Sequence, residues 1–188
     1  MIDVSLEYVR KVLDQYLTNR YGVETNFVVL NNLISPDGSV PQKNNNKLVI
    51  TLVTLEYETS KQFYSDQKPT PDRLAQINPP IWFNLDILIS ANFDEYSEAL
   101  KFLTATIGFF QANTVMNRAN HPTLPAGLTG LKFEIENSPT GKMENIWMAL
   151  GAKYLPSIIY KIRQVCVQAD QIEAEIPVVQ NVSSGVQS

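Results

Sequence analysis

The segment that most constrains the fold is Lys47–Tyr57. It reads Lys-Leu-Val-Ile-Thr-Leu-Val-Thr-Leu-Glu-Tyr, and its Leu, Val and Ile residues occupy both odd and even positions. Because successive side chains of a strand point to opposite faces of a sheet, apolar residues on both parities predict a strand that is covered on both faces. The sequence therefore predicts a central strand in a layered fold.

Helical and extended patterns alternate around this strand. Val4–Asn19 repeats apolar residues every three or four positions, as in a helix with one buried face, and Asp3 or Ser5 is available as its cap. Ile81–Phe93 resumes as a strand with one buried face and one partly wet face. The other predicted strands are Asn26–Ile34, Leu131–Glu136 and a strand from Lys153 or Tyr154 to Gln168. Two further helices are predicted, one from its cap Asp94 to Asn113 and one from its cap Ser138 to just before Gly151. This order predicts an α+β single domain, a mixed sheet of about five strands flanked by about three helices.

The 188 residues have the size of one domain. We expect this domain to span residues 1–169, followed by a C-terminal tail over residues 170–188 that is flexible or donates a strand. Thr59–Pro80 is polar and rich in proline, and it is predicted to be a long linker that is functional or mobile.

Composition excludes several classes of function. Lys and Arg number 15 against 19 Asp and Glu, a net charge of −4, whereas binding to nucleic acid relies on cations that converge on phosphates. No stretch reaches the roughly 18 apolar residues of a membrane span, and the N-terminus lacks the pattern of a secretory signal. The single cysteine, Cys166, excludes an intramolecular disulfide and a multi-cysteine zinc site, and we expect it to be a small buried hydrophobe. We expect no nucleic acid partner, no membrane partner and assembly in the cytoplasm.

Few residues suit catalysis. His121 is the only histidine, and its polar loop predicts an exposed residue rather than a member of a triad or a zinc ligand. Glu134 and Glu136 lie on one face of a predicted strand and, with Asp86, could serve a hydrolase; a solvated strand face explains them as well. No glycine-rich phosphate loop is present. The sequence predicts a protein without catalytic residues, metal or cofactor.

Large apolar side chains near the C-terminus are candidates for an interface. Trp147 and Tyr154 flank the end of the third helix, and large aromatic rings dominate binding hot spots; core packing is the alternative for Trp147. The apolar tail segment Ile176–Val179 could add a strand to the edge of a partner's sheet, with a disordered terminus as the alternative.

Five segments in order resemble a known family. They are Asn78–Ala91, Glu98–Leu103, Leu131–Ile135, Ile146–Tyr154 and Ser157–Arg163. Together they are similar to the cap, or tail-terminator, proteins of phage-tail-like contractile injection systems of the antifeeding-prophage type. The strand that follows Pro79 and Pro80 and the Trp-x-Ala-Leu-Gly segment are the most specific parts, and neither is a catalytic signature.

The resemblance implies a structural, non-enzymatic subunit that forms a hexameric ring on the distal end of an inner tube and its contractile sheath. Its partners would be copies of itself and the sheath and tube subunits, and it would be a component of the injection particle. An assembly chaperone that binds sheath subunits by β-augmentation is the alternative. The candidate interface residues are Trp147, Tyr154, Lys161, Arg163, Ile176, Val178 and Val179.

Overall fold

The computed structural model describes residues 1–22, 26–59, 67–70, 73–77, 80–137, 140–167 and 172–177. The elements in chain order are α1 (Ile2–Tyr21), β1 (Val28–Leu30), a 3-10 turn (Gln42–Asn44), β2 (Lys47–Tyr57), β3 (Gln67–Thr70), β4 (Arg73–Ile77), β5 (Ile81–Asn92), α2 (Tyr96–Ala112), β6 (Val115–Met116), β7 (Leu131–Ile135), α3 (Thr140–Leu150), β8 (Ser157–Val167) and β9 (Ile172–Pro177).

The main sheet has six strands in the order β1-β2-β5-β8-β7-β6. It is mixed, because β1 runs parallel to β2 while the other neighbours are antiparallel. All five strands predicted from the sequence belong to it, and the predicted α+β class with three helices is confirmed. The sixth strand, β6, has only two residues, too few for a periodic pattern to reveal it.

A second sheet has three strands in the order β3-β4-β9. Two of them lie within Thr59–Pro80, so the prediction of an unstructured linker is wrong for that part of the chain. Strand β4 pairs on both sides, with β3 and with β9. Pro69 lies in β3, an outer strand of this sheet, where a missing N–H is tolerated. The third strand, β9, lies within the predicted tail and pairs with β4.

The small sheet has the same strand order as the centre of the main sheet: β3, β4 and β9 are neighbours in the same order as β2, β5 and β8. Along the chain β3 follows β2, β4 precedes β5, and β9 follows β8. The connections leave the main sheet at one end, because Tyr57 is the register partner of Phe83, and Ile81 that of Val167. We call the small sheet the three-stranded extension.

Helices cover both faces of the main sheet. On one face α1 and α2 pack against the larger core, with Leu13, Ile87 and Phe110 fully buried. On the other face α3 packs against a smaller core that includes Leu88 and Trp147. Residues 84–91 of β5 are consequently all buried, and the predicted partly wet face is wrong because α3 and its neighbours cover it.

The helix ends follow the predicted signals only in part. Gly151 ends α3 with φ 64° and Gly22 ends α1 with φ 65°, a left-handed conformation that glycine adopts readily. The N-caps predicted for α1 and α2 are wrong, whereas Ser138, the cap predicted for α3, lies outside the described residues. Met1 caps α1 without a side-chain bond, and Glu95 rather than Asp94 caps α2. Asp94 instead accepts a 2.9 Å hydrogen bond from Asn46 Nδ2.

Candidate functional site

A cluster of five charged side chains lies on the α3 side of the main sheet. Lys161 Nζ is 2.6 Å from Glu56 Oε2, 3.6 Å from Asp86 Oδ1 and 3.7 Å from Glu136 Oε2. Lys142 Nζ is 3.0 Å from Glu136 Oε1 and 3.7 Å from Asp86 Oδ2. This cluster, which we call the charge cluster, joins β2, β5, β8, α3 and the residue that follows β7.

Sheet register brings these residues together. Asp86 lies opposite Lys161 in the pairing of β5 with β8, and Lys161 lies opposite Glu134 in the pairing of β7 with β8. Glu136 follows two residues later on the same face, and its backbone N–H donates to the carbonyl oxygen of Ile159. The cluster therefore depends on strands that are distant in sequence.

Burial and charge shift the pKa values within the charge cluster. The Asp86 side chain is only 3% exposed, and this burial raises the pKa of its carboxyl despite the nearby Lys161 ammonium. The hydrogen bond from Lys142 lowers the pKa of Glu136. Burial opposes the charged form of Lys161, but the hydrogen bond to Glu56 and the charges of Asp86 and Glu136 outweigh it and raise the pKa of Lys161. The cluster holds its three carboxylates beside cations and links α3 to the strands of the main sheet.

A second charged group lies beside the cluster, nearer the surface. Arg163 Nε donates to Glu134 Oε2 at 2.8 Å, and Lys132 Nζ is 2.7 Å from Glu134 Oε1. Hydrogen bonds from Lys132 and Arg163 lower the pKa of Glu134. A cavity of about 230 Å³ opens beside this group and is lined in part by Lys132, Arg163 and Val115. The Arg163 side chain is 39% exposed, so it remains accessible to a partner.

The carboxylates considered for a hydrolase are divided between these two groups. Asp86 and Glu136 share Lys142 and Lys161, while Glu134 is paired with Lys132 and Arg163. The predicted solvated face is confirmed in part: the Lys132 side chain is 60% exposed, and the Glu134 and Glu136 side chains are 35% and 25% exposed. Across the described ranges no group of three or more His, Cys, Asp or Glu side chains is placed to hold a metal ion.

His121 is half-buried, contrary to the predicted exposed position. Its Nε2 lies 3.2 Å from Asn113 Oδ1, and its ring packs edge-on against Tyr8. The reason is that its loop returns to the core through the buried Leu124 and Leu128. Together with Tyr8 and other residues of α1, His121 lines a groove of about 810 Å³. Cys166, predicted to be buried, is half-buried.

The predicted interface residues differ in accessibility. Trp147 is 6% exposed and packs with Leu88 and Ile159, so it is a core residue and not an exposed anchor of this chain. Tyr154 is 70% exposed, and its ring centroid lies 5.4 Å from that of Trp147. Lys161 is 12% exposed, because the charge cluster surrounds it.

The predicted residues in the tail are described only in part. The backbone of Ile176 lies in β9 opposite Leu74 of β4 in the same chain. Val178 and Val179 lie outside the described residues.

One surface was missed in the sequence, the end of β2. Its neighbour β1 pairs only with Leu48–Ile50, so on that side no described residue pairs with residues 52–57. Leu55 and Tyr57 there are 47% and 60% exposed. We call residues 52–57 the open edge of β2. Apolar Leu55 and Tyr57 alternate with polar Thr54 and Glu56, a pattern that indicates an exposed face at this end of the strand. The apolar residues at the start of the strand instead led to the prediction that both faces are covered along its whole length.

Two solved structures share this fold. One is the cryo-EM structure of the PVC sheath/tube terminator of an extracellular contractile injection system in the extended state, with 16% identity, a TM-score of 0.61, and coverage of 96% of this chain and 62% of that chain. The other is the cryo-EM structure of the anti-feeding prophage tube terminating cap, with 13% identity, a TM-score of 0.58, and coverage of 95% of this chain and 60% of that chain. The chain thus spans about three fifths of the length of both proteins. At these identities the likeness shows the fold.

No curated protein matches the chain. Among the helices of the described ranges, none has the length and apolar character required to cross a membrane.

The resemblance noted in the sequence is confirmed by the two structures and by a family match. Residues 6–181 match the family described as the Pvc16 N-terminal domain. Because this match includes most of the chain, the chain belongs to the Pvc16 N-terminal domain family.

Proposed function

We propose that this chain is a structural terminator that closes the inner tube and contractile sheath at the distal end of a phage-tail-like injection particle. The observation that carries the proposal is the fold shared with two terminating caps over 96% and 95% of the chain, together with membership of the Pvc16 N-terminal domain family. It assembles in the cytoplasm and stays in the finished particle.

The active form in this proposal is a ring of six copies. Residues 1–169 form the body of each subunit; in the tail, β9 pairs within its own chain, and the residues after Pro177 contact a neighbour. A ring that ends a polymer must match the growing end on one side and offer no further docking surface on the other, so its work is complementarity of shape. Head-to-tail contacts that close on themselves give such a ring.

The side chains support a structural role better than a catalytic one. Asp86 and Glu136, the buried and half-buried carboxylates, are each shared between two lysines. Exposed apolar side chains such as Tyr154 and Met148, which are 70% and 71% exposed, suit contacts with other subunits.

Deleting the gene in the producing strain tests the proposal. We expect particles of uncontrolled length or with unstable ends in electron micrographs, and complementation with the gene should restore a uniform length. Particles of normal length and stability from the deletion strain would refute the proposal.

A transient assembly chaperone is the second candidate, and the open edge of β2 favours it because such an edge can accept a strand from a sheath subunit. The two functions differ in where the protein ends up. Quantitative mass spectrometry of purified finished particles should find the chain at ring stoichiometry if it is a terminator. Its absence from finished particles would favour the chaperone.

A further inference from the structure

We propose that the open edge of β2 accepts a strand from the C-terminal segment of a neighbouring copy of this chain, beginning at Val178. The inference rests on the proposed ring, and it names the contact that would hold the ring together.

The geometry of β2 leaves a template for one more strand. The last backbone contact from the β1 side is the hydrogen bond from Asn31 N to Ile50 O at 3.1 Å, followed by Thr51 Oγ1 donating to Asn31 O at 2.8 Å. On its inner side β2 continues to pair with β5 as far as Tyr57 opposite Phe83. An edge of this kind presents a row of N–H and C=O groups that pair with another chain.

The side chains do not protect this edge. Natural edge strands are commonly guarded by lysine or proline, and residues 52–57 contain neither. Glu56, the only charged residue among them, is turned to the α3 side, where it pairs with Lys161. Leu55 and Tyr57 remain exposed on the opposite face. A bulge between Leu52 and Thr54 precedes a regular stretch from Thr54 to Tyr57.

The C-terminal segment follows β9, an outer strand of the three-stranded extension. Strand β9 runs along β4 from Ile172, opposite Ile77, to Pro177, opposite Arg73. At the rise of a strand, β9 carries the chain about 16 Å from Ile172 to Pro177. The chain therefore leaves β9 beside Arg73, at the start of β4.

The composition of this segment suits the open edge. It begins Val178-Val179-Gln180-Asn181-Val182, which is uncharged and rich in β-branched residues that favour strands. Valines can pack on Leu55 and Tyr57, and no acidic group is brought towards Glu56. Because donor and acceptor are different surfaces of one chain, each copy can give one strand and receive one, as in a closed head-to-tail ring.

Engineered cysteines test this contact in the full-length protein. In a Cys166→Ser background, Leu55→Cys is combined in turn with Val178→Cys, Val179→Cys and Gln180→Cys. With three neighbouring positions tested, one of them should lie opposite residue 55 in the paired strands. Val40→Cys with Val179→Cys is the control, because Val40 is also exposed, at 55%, but lies outside the open edge. After mild oxidation, products are separated on a non-reducing gel.

We expect disulfide-linked dimers and larger ladders for one Leu55 pair, formed about tenfold or more faster than in the control, because paired strands hold the two thiols at a high effective concentration. Cross-links confined within single chains, or rates equal to the control, would overturn the inference. A chain that ends at Pro177 supplies a second measurement. It should lose ring formation, and rings that form without residues 178–188 would also overturn the inference.

Negative-stain micrographs of the unmodified chain distinguish failure of the strand exchange from failure of the proposed ring. Rings without Leu55 cross-links contradict the strand exchange alone. If the unmodified chain forms no rings under any assembly condition, including with tube subunits, both the ring and its contact fail.

Discussion

Replacing Lys161 with methionine tests the role of the charge cluster. The substitution Lys161→Met keeps most of the aliphatic volume but leaves Asp86, which is 3% exposed, with Lys142 at 3.7 Å as its cation. Removing one partner of a buried ion pair costs about 3–5 kcal/mol. Glu56 is 40% exposed and regains water, so we expect the lower end, about 3 kcal/mol at neutral pH.

The pH dependence of this loss has a definite sign. Burial raises the pKa of Asp86 in the folded protein, so ionising this group costs stability as the pH rises through its folded pKa. Lys161 reduces that cost, and its removal raises the pKa of Asp86 further. The loss caused by Lys161→Met should therefore be largest well above the pKa of Asp86 and shrink as acidification protonates that carboxyl.

The assay is urea unfolding followed by circular dichroism at about pH 7.5 and about pH 5, with linear extrapolation to water. Lys153→Met is the matched control, since Lys153 is exposed, and it should change the free energy of unfolding by less than about 0.5 kcal/mol. Adding Asp86→Asn to Lys161→Met should recover about 1 kcal/mol or more relative to the sum of the single changes, because the two groups interact. A loss no larger than the control's, or one that grows at lower pH, would refute the reasoning.

Four further substitutions probe other parts of the fold. Trp147→Ala should destabilise the chain by about 3–5 kcal/mol through the cavity it leaves under α3, whereas Tyr154→Ala should leave the urea midpoint of the isolated chain nearly unchanged. Tyr160→Phe should leave stability unchanged or raise it, because the buried Tyr160 hydroxyl has no hydrogen-bond partner among the described residues. Burial raises the pKa of Tyr160 to about 12, so an ultraviolet titration of the variant should lack the phenol that ionises in that range. Gly151→Ala should lower stability by about 1 kcal/mol, measured by thermal unfolding, because φ is 64° there although nothing crowds the site. An unchanged melting temperature for Gly151→Ala would contradict the left-handed helix end.

Long periodic segments could be predicted from the sequence. The apolar repeat in α1 and α2 and the apolar runs in β2, β5 and β8 specify their own structure, because each buries a continuous stripe or face. The glycine that ends α3 was predicted correctly for the same local reason: Gly151 adopts a conformation that other residues avoid. The cap of α2 was not predicted correctly, because Asp94 accepts a hydrogen bond from Asn46, which is distant in sequence, and does not cap the helix.

The three-stranded extension and the charge cluster could not be predicted. Strand β3 pairs with β4, and β4 pairs with β9, which begins about a hundred residues later; the polar sequences of β3 and β4 carry no alternation. Asp86, Lys142 and Lys161 likewise meet only through sheet register and the packing of α3. The partners of a buried charge depend on tertiary contacts that no local pattern encodes.

The repeated strand order of the extension has a mechanical consequence. Tension applied to its tip enters the main sheet at Tyr57, Ile81 and Val167, the adjacent ends of its three longest strands. A load along these strands would pull them lengthwise past their flanking neighbours. Many hydrogen bonds between strands, and the helix packing on both faces, would then resist together instead of breaking one at a time. A load on the extension would therefore be carried by the strands that lie at the middle of the core.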